Sequence, residues 1–227
     1  MRARLLLRVA ASIAMGAGVG AAAIAQSKAP EWTTTTKESV AGQELDTKQS
    51  AIIQKLTSYF NQLVDSQGEF TQTSADGKRL RGKIFIKRPT RFRFEYRPPS
   101  KQIIISDGTN MAVQDLDLNT DDRWSLDQTP FRIVMRKDVD LLRDAKILDV
   151  GETGDRYYIT LMDKAPNAQG RLKMIFLKQP ALELKEWITT DTQNQDTKVE
   201  LTEFVRAEKL DDALFVPESI TLKRLQQ

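Results

Sequence analysis

The chain has 227 residues, with 34 Lys and Arg against 31 Asp and Glu, and it contains neither histidine nor cysteine. That composition excludes disulfides, a lipobox cysteine carrying an acyl anchor, Ser-His-Asp and Cys-His nucleophiles, and the usual zinc and copper sites. Three of the basic residues, Arg2, Arg4 and Arg8, lie in an N-terminal signal, so charge balances in the remainder and a broad nucleic-acid footprint is not supported.

In that signal "MRARLLLR" is basic, "VAASIAMGAGVGAA" is small and apolar, and Ala23-Ile24-Ala25 ahead of Gln26 forms an A-x-A cleavage pattern. Residues 1–25 are therefore expected to be a secretory signal peptide cleaved after Ala25. No later segment approaches the roughly 18 consecutive apolar residues of a spanning helix. Residues 26–45 show no sustained period and read as a flexible leader, with Trp32 resting on a nearby surface. Residues 46–227 are enough for one domain with a substantial core.

From Asp46 onward Ile52, Ile53, Leu56, Phe60, Leu63 and Val64 fall at helical spacing. The pattern predicts an amphipathic helix capped by Asp46 or Thr47 and stopped by Gly68, whose face of Leu56, Phe60 and Leu63 must dock on something. The segments "EFTQTSA", "KRLRGKIFIK", "RFRFEYRP" and "KQIIISDG" follow, separated by Asp76-Gly77 and Asp107-Gly108, and read as an antiparallel meander.

The third of these strands alternates Phe92, Phe94 and Tyr96 with Arg91, Arg93, Glu95 and Arg97, and proline closes both ends. Period two sends the rings to one face and the charges to the other. Each buried ring removes roughly 150–250 Å² from water, too much surface to leave wet. The cover is the protein's own core, a bound apolar ligand or another protein. Because rings and charges face opposite ways, the strand is a poor stacking platform for single-stranded nucleic acid.

The segment "DLDLNTDD" holds Asp115, Asp117, Asp121 and Asp122, the one dense acidic cluster and the remaining candidate for acid–base work. It lacks the glycine and terminal glutamate of an EF-hand loop and reads as a solvated loop. No G-x-G-x-x-G, P-loop or G-x-S-x-G is present. A catalytic site, a metal site and a cofactor are not expected.

In "TPFRIVMRKDVDLLRDAK", Thr129 suits a cap and Pro130 the first helical position, with Phe131, Val134 and Met135 on one apolar face. Asp138 is expected to start a second short helix carrying Leu141 and Leu142. Both are too short to stand alone, so they pack across a sheet. Strands resume with "KILDVGE", "RYYITLMD", "GRLKMIFLK", "LELKEWITT", "TKVELTEFVRA" and the terminal "FVPESITLKRL", with "KAPNAQG" and "DTQNQDT" as hairpin connections. The order implies a large, strongly curved antiparallel sheet with helices on one face.

The stretch "GKIFIKRPTRFRFEYRPPSKQIIISDG" (82–108) resembles the periplasmic outer-membrane lipoprotein carriers, the LolA family. The shared elements are a strand ending Lys87-Arg88-Pro89, the aromatic strand, a proline-bounded turn and a strand ending Ser106-Asp107-Gly108. Phe70-Thr71-Gln72, Thr129-Pro130-Phe131 and Phe215-Val216-Pro217 agree in order, so the resemblance spans roughly residues 47 to 220.

The resemblance implies an α+β, mainly β fold: an unclosed antiparallel barrel of about ten to eleven strands, with short helices forming a lid over an apolar cavity. In the family that cavity shields the acyl chains of a lipoprotein between the inner and outer membranes. Phe92, Phe94, Tyr96, Ile103, Ile104 and Ile105 would line it, and Phe131, Val134, Met135, Leu141 and Leu142 would form the lid. Arg88 takes the family's arginine position, hydrogen-bonding barrel to lid. The implied setting is the periplasm, and the implied partners are acylated lipoproteins, an inner-membrane release transporter and an outer-membrane acceptor. A monomer is the default expectation.

The chain departs from the family at "TNMAVQDLD", where Ala112 and Gln114 replace usual aromatics, and at Phe94, where a Trp is common, so the shape of the cavity stays open. Pattern alone fits a sealed core equally well. Two further readings remain: a carrier of another amphiphile or free lipid on the same fold, and a ligand-free interaction domain that recruits partners through a sheet edge.

Overall fold

A computed structural model describes residues 45–165 and 170–217. The signal peptide, the leader up to residue 44, the centre of the "KAPNAQG" loop and residues 218–227 of the expected terminal strand lie outside the described residues.

The first helix, α1, spans Thr47–Gln62. Asp46 caps it: its carboxylate accepts the Gln49 N–H at 2.7 Å while the Gln49 side-chain oxygen accepts the Asp46 N–H at 3.1 Å. The helix stops where Leu63 turns extended and does not run to Gly68. Gly68 lies in a strand, where a Cβ would come 2.8 Å from the Phe204 Cα at a bulge in the pairing. Ile52, Ile53, Leu56 and Phe60 are the buried face of α1.

Eleven strands make one antiparallel sheet: β1 Ser66–Thr73, β2 Arg79–Lys87, β3 Arg91–Tyr96, β4 Gln102–Asp107, β5 Asn110–Asp115, β6 Thr120–Ser125, β7 Ala145–Thr153, β8 Arg156–Asp163, β9 Arg171–Leu177, β10 Glu183–Thr190 and β11 Asp196–Arg206. Their spatial order is β6-β5-β4-β3-β2-β1-β11-β10-β9-β8-β7, two meanders joined where β1 pairs with β11. The sheet is unclosed, since β6 and β7 do not pair with each other.

Bulges at Gln67/Glu69, Leu184/Glu186 and Ile147/Asp149 bend the strands that carry them. Curvature is visible in the rings: Phe94 on β3 and Trp187 on β10 have centroids 6.1 Å apart. Those strands are four places apart, about 19 Å in a flat sheet at the usual strand spacing.

A single segment, residues 126–144, connects the two end strands. It contains a 3₁₀ turn at Leu126–Gln128, α2 at Arg132–Met135 and α3 at Leu141–Asp144. The chain therefore crosses from one free edge of the sheet to the other, over the concave face. The main core lies between that face, this segment and α1.

The details correct several expectations. Thr129 does not cap a helix; its hydroxyl donates back to the Leu126 carbonyl at 2.8 Å. Asp140, not Asp138, caps α3 by accepting the Arg143 N–H. Half of the acidic segment read as a solvated loop is strand: Asp115 ends β5, and Thr120, Asp121 and Asp122 sit on β6. Only residues 116–119 turn, held by the Asp115 carboxylate accepting the N–H groups of Asp117 and Leu118. Asp121 pairs with Arg123 at 2.8 Å, and this hydrogen bond holds its carboxyl below the usual range. Of the expected terminal strand, Phe215 closes a 3₁₀ turn, Asp212–Phe215, and Val216 and Pro217 are not strand.

That turn explains the charged face of β3. Ala207, Leu210 and Phe215 form a small second core with Phe85 and Leu214 on the outer side of the sheet. Lys87 and Arg91 both reach Asp212, at 2.8 and 2.7 Å, and Arg93 donates to the Leu214 carbonyl at 3.1 Å. Arg93 also pairs with Glu95 at 2.5 Å, and Arg97 pairs with Glu69. Arg91 and Arg93 thus anchor the chain that follows β11.

Candidate functional site

The inward side of β3 presents Phe92, Phe94 and Tyr96. Phe94 pairs in register with Ile84 on β2 and Ile104 on β4, so those three side chains share the concave face. The same register places Ile103 opposite Glu95 and Ile105 opposite Arg93, on the outer face. Ile103 and Ile105 therefore do not line the concave site, and Ile104 alone of the three does. Ile105 is fully buried, packed on the side where the Asp212–Phe215 turn lies.

One strand further, Met111 and Val113 face inward, while Ala112 and Gln114 pair with Ile105 and Ile103 and face outward. The loss of aromatics at 112 and 114 therefore falls on the side away from the site.

The rings form a connected edge-to-face array. Phe70 meets Phe94 and Tyr96 at 5.2 and 5.1 Å, Phe92 meets Phe94 at 5.8 Å, and Phe94 meets Trp187. Gly82 makes the Phe70 contacts possible, because a Cβ there would lie 2.6 Å from the Phe70 ring and 2.1 Å from the Glu95 carbonyl oxygen. The Tyr96 hydroxyl donates to the Gln72 side-chain oxygen at 2.6 Å, and burial pushes that phenol above its ordinary range.

Phe131, at the start of α2, inserts into this array. Its ring lies 5.8 Å from Phe92 and 6.2 Å from Trp187, between two crevices of about 80 and 50 Å³. Phe92, Phe94, Phe131 and Trp187 line both. The smaller crevice is wholly apolar and continues past Val134, Met135, Phe60, Leu63 and Met174. Pockets that take drug-sized ligands measure about 300–1,000 Å³, so in this state each crevice is nearly filled by the protein's own side chains.

The crossing segment is tied down at several points. The Arg88 guanidinium, partly buried beside it, donates to the carbonyls of Val134 and Arg136, and desolvation lowers its pKa from the usual value. The Thr90 N–H donates to the Met135 carbonyl at 2.9 Å. Arg132 forms a two-pronged pair with Asp163 at the end of β8, at 2.9 and 2.5 Å. Asn61 on α1 donates to the Val139 carbonyl and accepts its N–H, at 2.9 and 2.8 Å. Within the segment itself, Arg136 reaches Asp144 at 2.8 Å.

Among the residues expected in the lid, Val134, Met135 and Leu141 are buried and Phe131 is half-buried, but Leu142 is 42% exposed and points away from the core. Leu56 and Phe60 pack inward from α1, and Leu63 lines the smaller crevice. Sequence reasoning missed Ile133, Leu126 and Val139, all buried side chains of the crossing segment itself, and the Asn61 clamp. The apolar run around Ile133 was a usable signal; a solvent-side asparagine on α1 was not.

The model of the family described as outer membrane lipoprotein carrier protein LolA matches residues 61–218, and the chain belongs to that family. It is similar to an outer-membrane lipoprotein carrier protein of Halorhodospira halophila, 29% identical over 75% of this chain and 83% of that one. A protein of the same description from Chromobacterium violaceum is 27% identical over 63% of this chain and 67% of its own length. Among solved structures, a LolA superfamily protein from Nitrosomonas europaea aligns with a TM-score of 0.45 and 11% identity, over 76% of this chain and 99% of that one.

Proposed function

We propose that this protein is a periplasmic, non-enzymatic carrier that shields the acyl chains of lipoproteins between the concave face of its sheet and the segment 126–144. The reading is supported by the family and by the names of its relatives. The observation that carries it is the position of Phe131. An aromatic wedge on a short, hydrogen-bonded segment separates two crevices, and withdrawal of the segment would join them into one groove.

Burial of an acyl chain contributes about 0.8 kcal/mol per CH₂. Closure of the empty protein also buries Phe131, Val134 and Met135, so cargo displaces one apolar cover with another. The two states must lie close in energy, since a carrier that holds its cargo too tightly does not deliver it. In this cycle cargo arrives from an inner-membrane release transporter, passes to an outer-membrane acceptor, and the carrier works as a monomer.

The test adds the purified chain lacking residues 1–25 to spheroplasts displaying newly acylated lipoproteins. Lipoproteins should appear in the soluble fraction in complex with it. Retention of every lipoprotein on the membrane, with the added protein shown to be folded, would overturn the reading. Extractable lipid copurifying without any lipoprotein would turn it toward a free-lipid carrier.

A further inference from the structure

The larger crevice is not uniform along its length. Phe92, Phe94, Ile104 and Met111 line one end, and the other is lined by polar groups on β1, β10 and β11. Gln72, Thr189 and Thr197 meet there because Gln72 pairs with Val199, and Thr189 pairs directly with Thr197, one step along the same inward face.

Thr197 is 2% exposed, and its hydroxyl has no hydrogen-bond partner among the described residues. A buried hydroxyl left unpaired costs stability and is uncommon in folded proteins. Its neighbours do not engage it: the Thr189 hydroxyl donates to the Thr197 backbone carbonyl at 3.4 Å, and the Gln72 side-chain oxygen accepts from Tyr96. At the same end lies Asp191, a buried carboxylate that accepts the N–H groups of Gln193 and Gln195, both at 2.8 Å, and forms no ion pair among the described residues.

The geometry points to a head-group subsite at this end of the crevice, specific for an uncharged amphiphile whose head carries ester, amide or hydroxyl groups. Thr197 both donates to and accepts from that head, while Asp191 disfavours phosphate or a free carboxylate by like-charge repulsion. The acyl chains then run past Phe131 into the apolar crevice, which fixes the direction in which cargo lies. This inference rests on the carrier reading above and adds the chemistry of the cargo's head.

The test measures displacement of N-phenyl-1-naphthylamine from the chain lacking residues 1–25, at pH 8, by 1-lauroylglycerol, dodecane and laurate. Lauroylglycerol should act at about threefold to tenfold lower concentration than dodecane, the worth of one net hydrogen bond. Thr197→Val is nearly isosteric and removes only the unpaired hydroxyl, so it should melt no lower than wild type and lose that margin while dodecane is unaffected. A margin that survives in Thr197→Val overturns the subsite. Laurate matching lauroylglycerol overturns its preference for uncharged heads. No dye binding by the folded protein overturns the carrier reading itself, whereas dye and dodecane binding with no lauroylglycerol margin overturns the subsite alone.

Discussion

Phe131 stands edge-on to Trp187, ring centroids 6.2 Å apart at 85°, across the space that divides the two crevices. The contact joins the crossing segment to β10, which lies far from it in sequence, and makes one side chain the partition of the site. Removing the ring should cost about 2 kcal/mol, less than a fully buried phenylalanine because Phe131 is half-buried. Phe131→Ala is expected to melt lower yet bind an apolar dye better than wild type. Urea unfolding and dye titration on the same sample check both; weaker dye binding at unchanged fold would count against the wedge.

Arg88 satisfies the carbonyls of Val134 and Arg136. Hydrogen bonds to a charged donor contribute about 1.5–3 kcal/mol, and a leucine there leaves both acceptors unpaired. Arg88→Leu should speed hydrogen exchange across residues 131–144 while leaving β9 to β11 protected, and should impair cycling of cargo. Transfer at the wild-type rate would remove Arg88 from the mechanism.

Asn61 holds the same segment from the opposite side through Val139. Asn61→Ala alone should loosen α3 by about 1 kcal/mol, two neutral bonds partly replaced by water. If Arg88 and Asn61 restrain one body, the double variant will be non-additive in exchange rates near Met135. Additivity would mean that the two ends open independently.

The pH response follows from the carboxylates. Asp144 is held below its ordinary pKa chiefly by the hydrogen bond from Arg143, with Arg136 adding to it. A group depressed in the folded state contributes stability that is present above its unfolded pKa, about 3.9, and is lost as pH falls through the folded value. With no histidine in the chain, melting temperature should be flat from pH 6 to 8 and fall below about pH 4. Asp144→Asn should melt lower at neutral pH and show a shallower acid decline. A transition near pH 6.5 would contradict this assignment.

Much of this was legible before any coordinates. The α1 cap, the alternation on β3 and the turn at Asp107-Gly108 are local signals, and the structure uses each of them. What failed depended on pairing. "IIIS" has no alternation, so nothing in it tells Ile104 from Ile103 and Ile105; only the register against Phe94 does. The strand β6 reads as loop because Asp121 and Asp122 are disfavoured in strands, and with Arg123 they suit a charged edge that resists further pairing. Leu142 falls outside the core because a helix of four residues has no room for two turns of one face. The Thr197 hydroxyl, unpaired among the described residues, was invisible, since its isolation depends on what three distant strands place around it.

The most direct measurement places a photocrosslinking benzoyl-phenylalanine at residue 94, inside the crevice, and for comparison at Val205, which is 56% exposed. Each variant is illuminated during release of lipoproteins from spheroplasts. Crosslinks to acylated lipoprotein from position 94 and none from 205 are the result expected if acyl chains occupy the space beneath Phe131. Release that proceeds with crosslinks at 205 and none at 94 would contradict it.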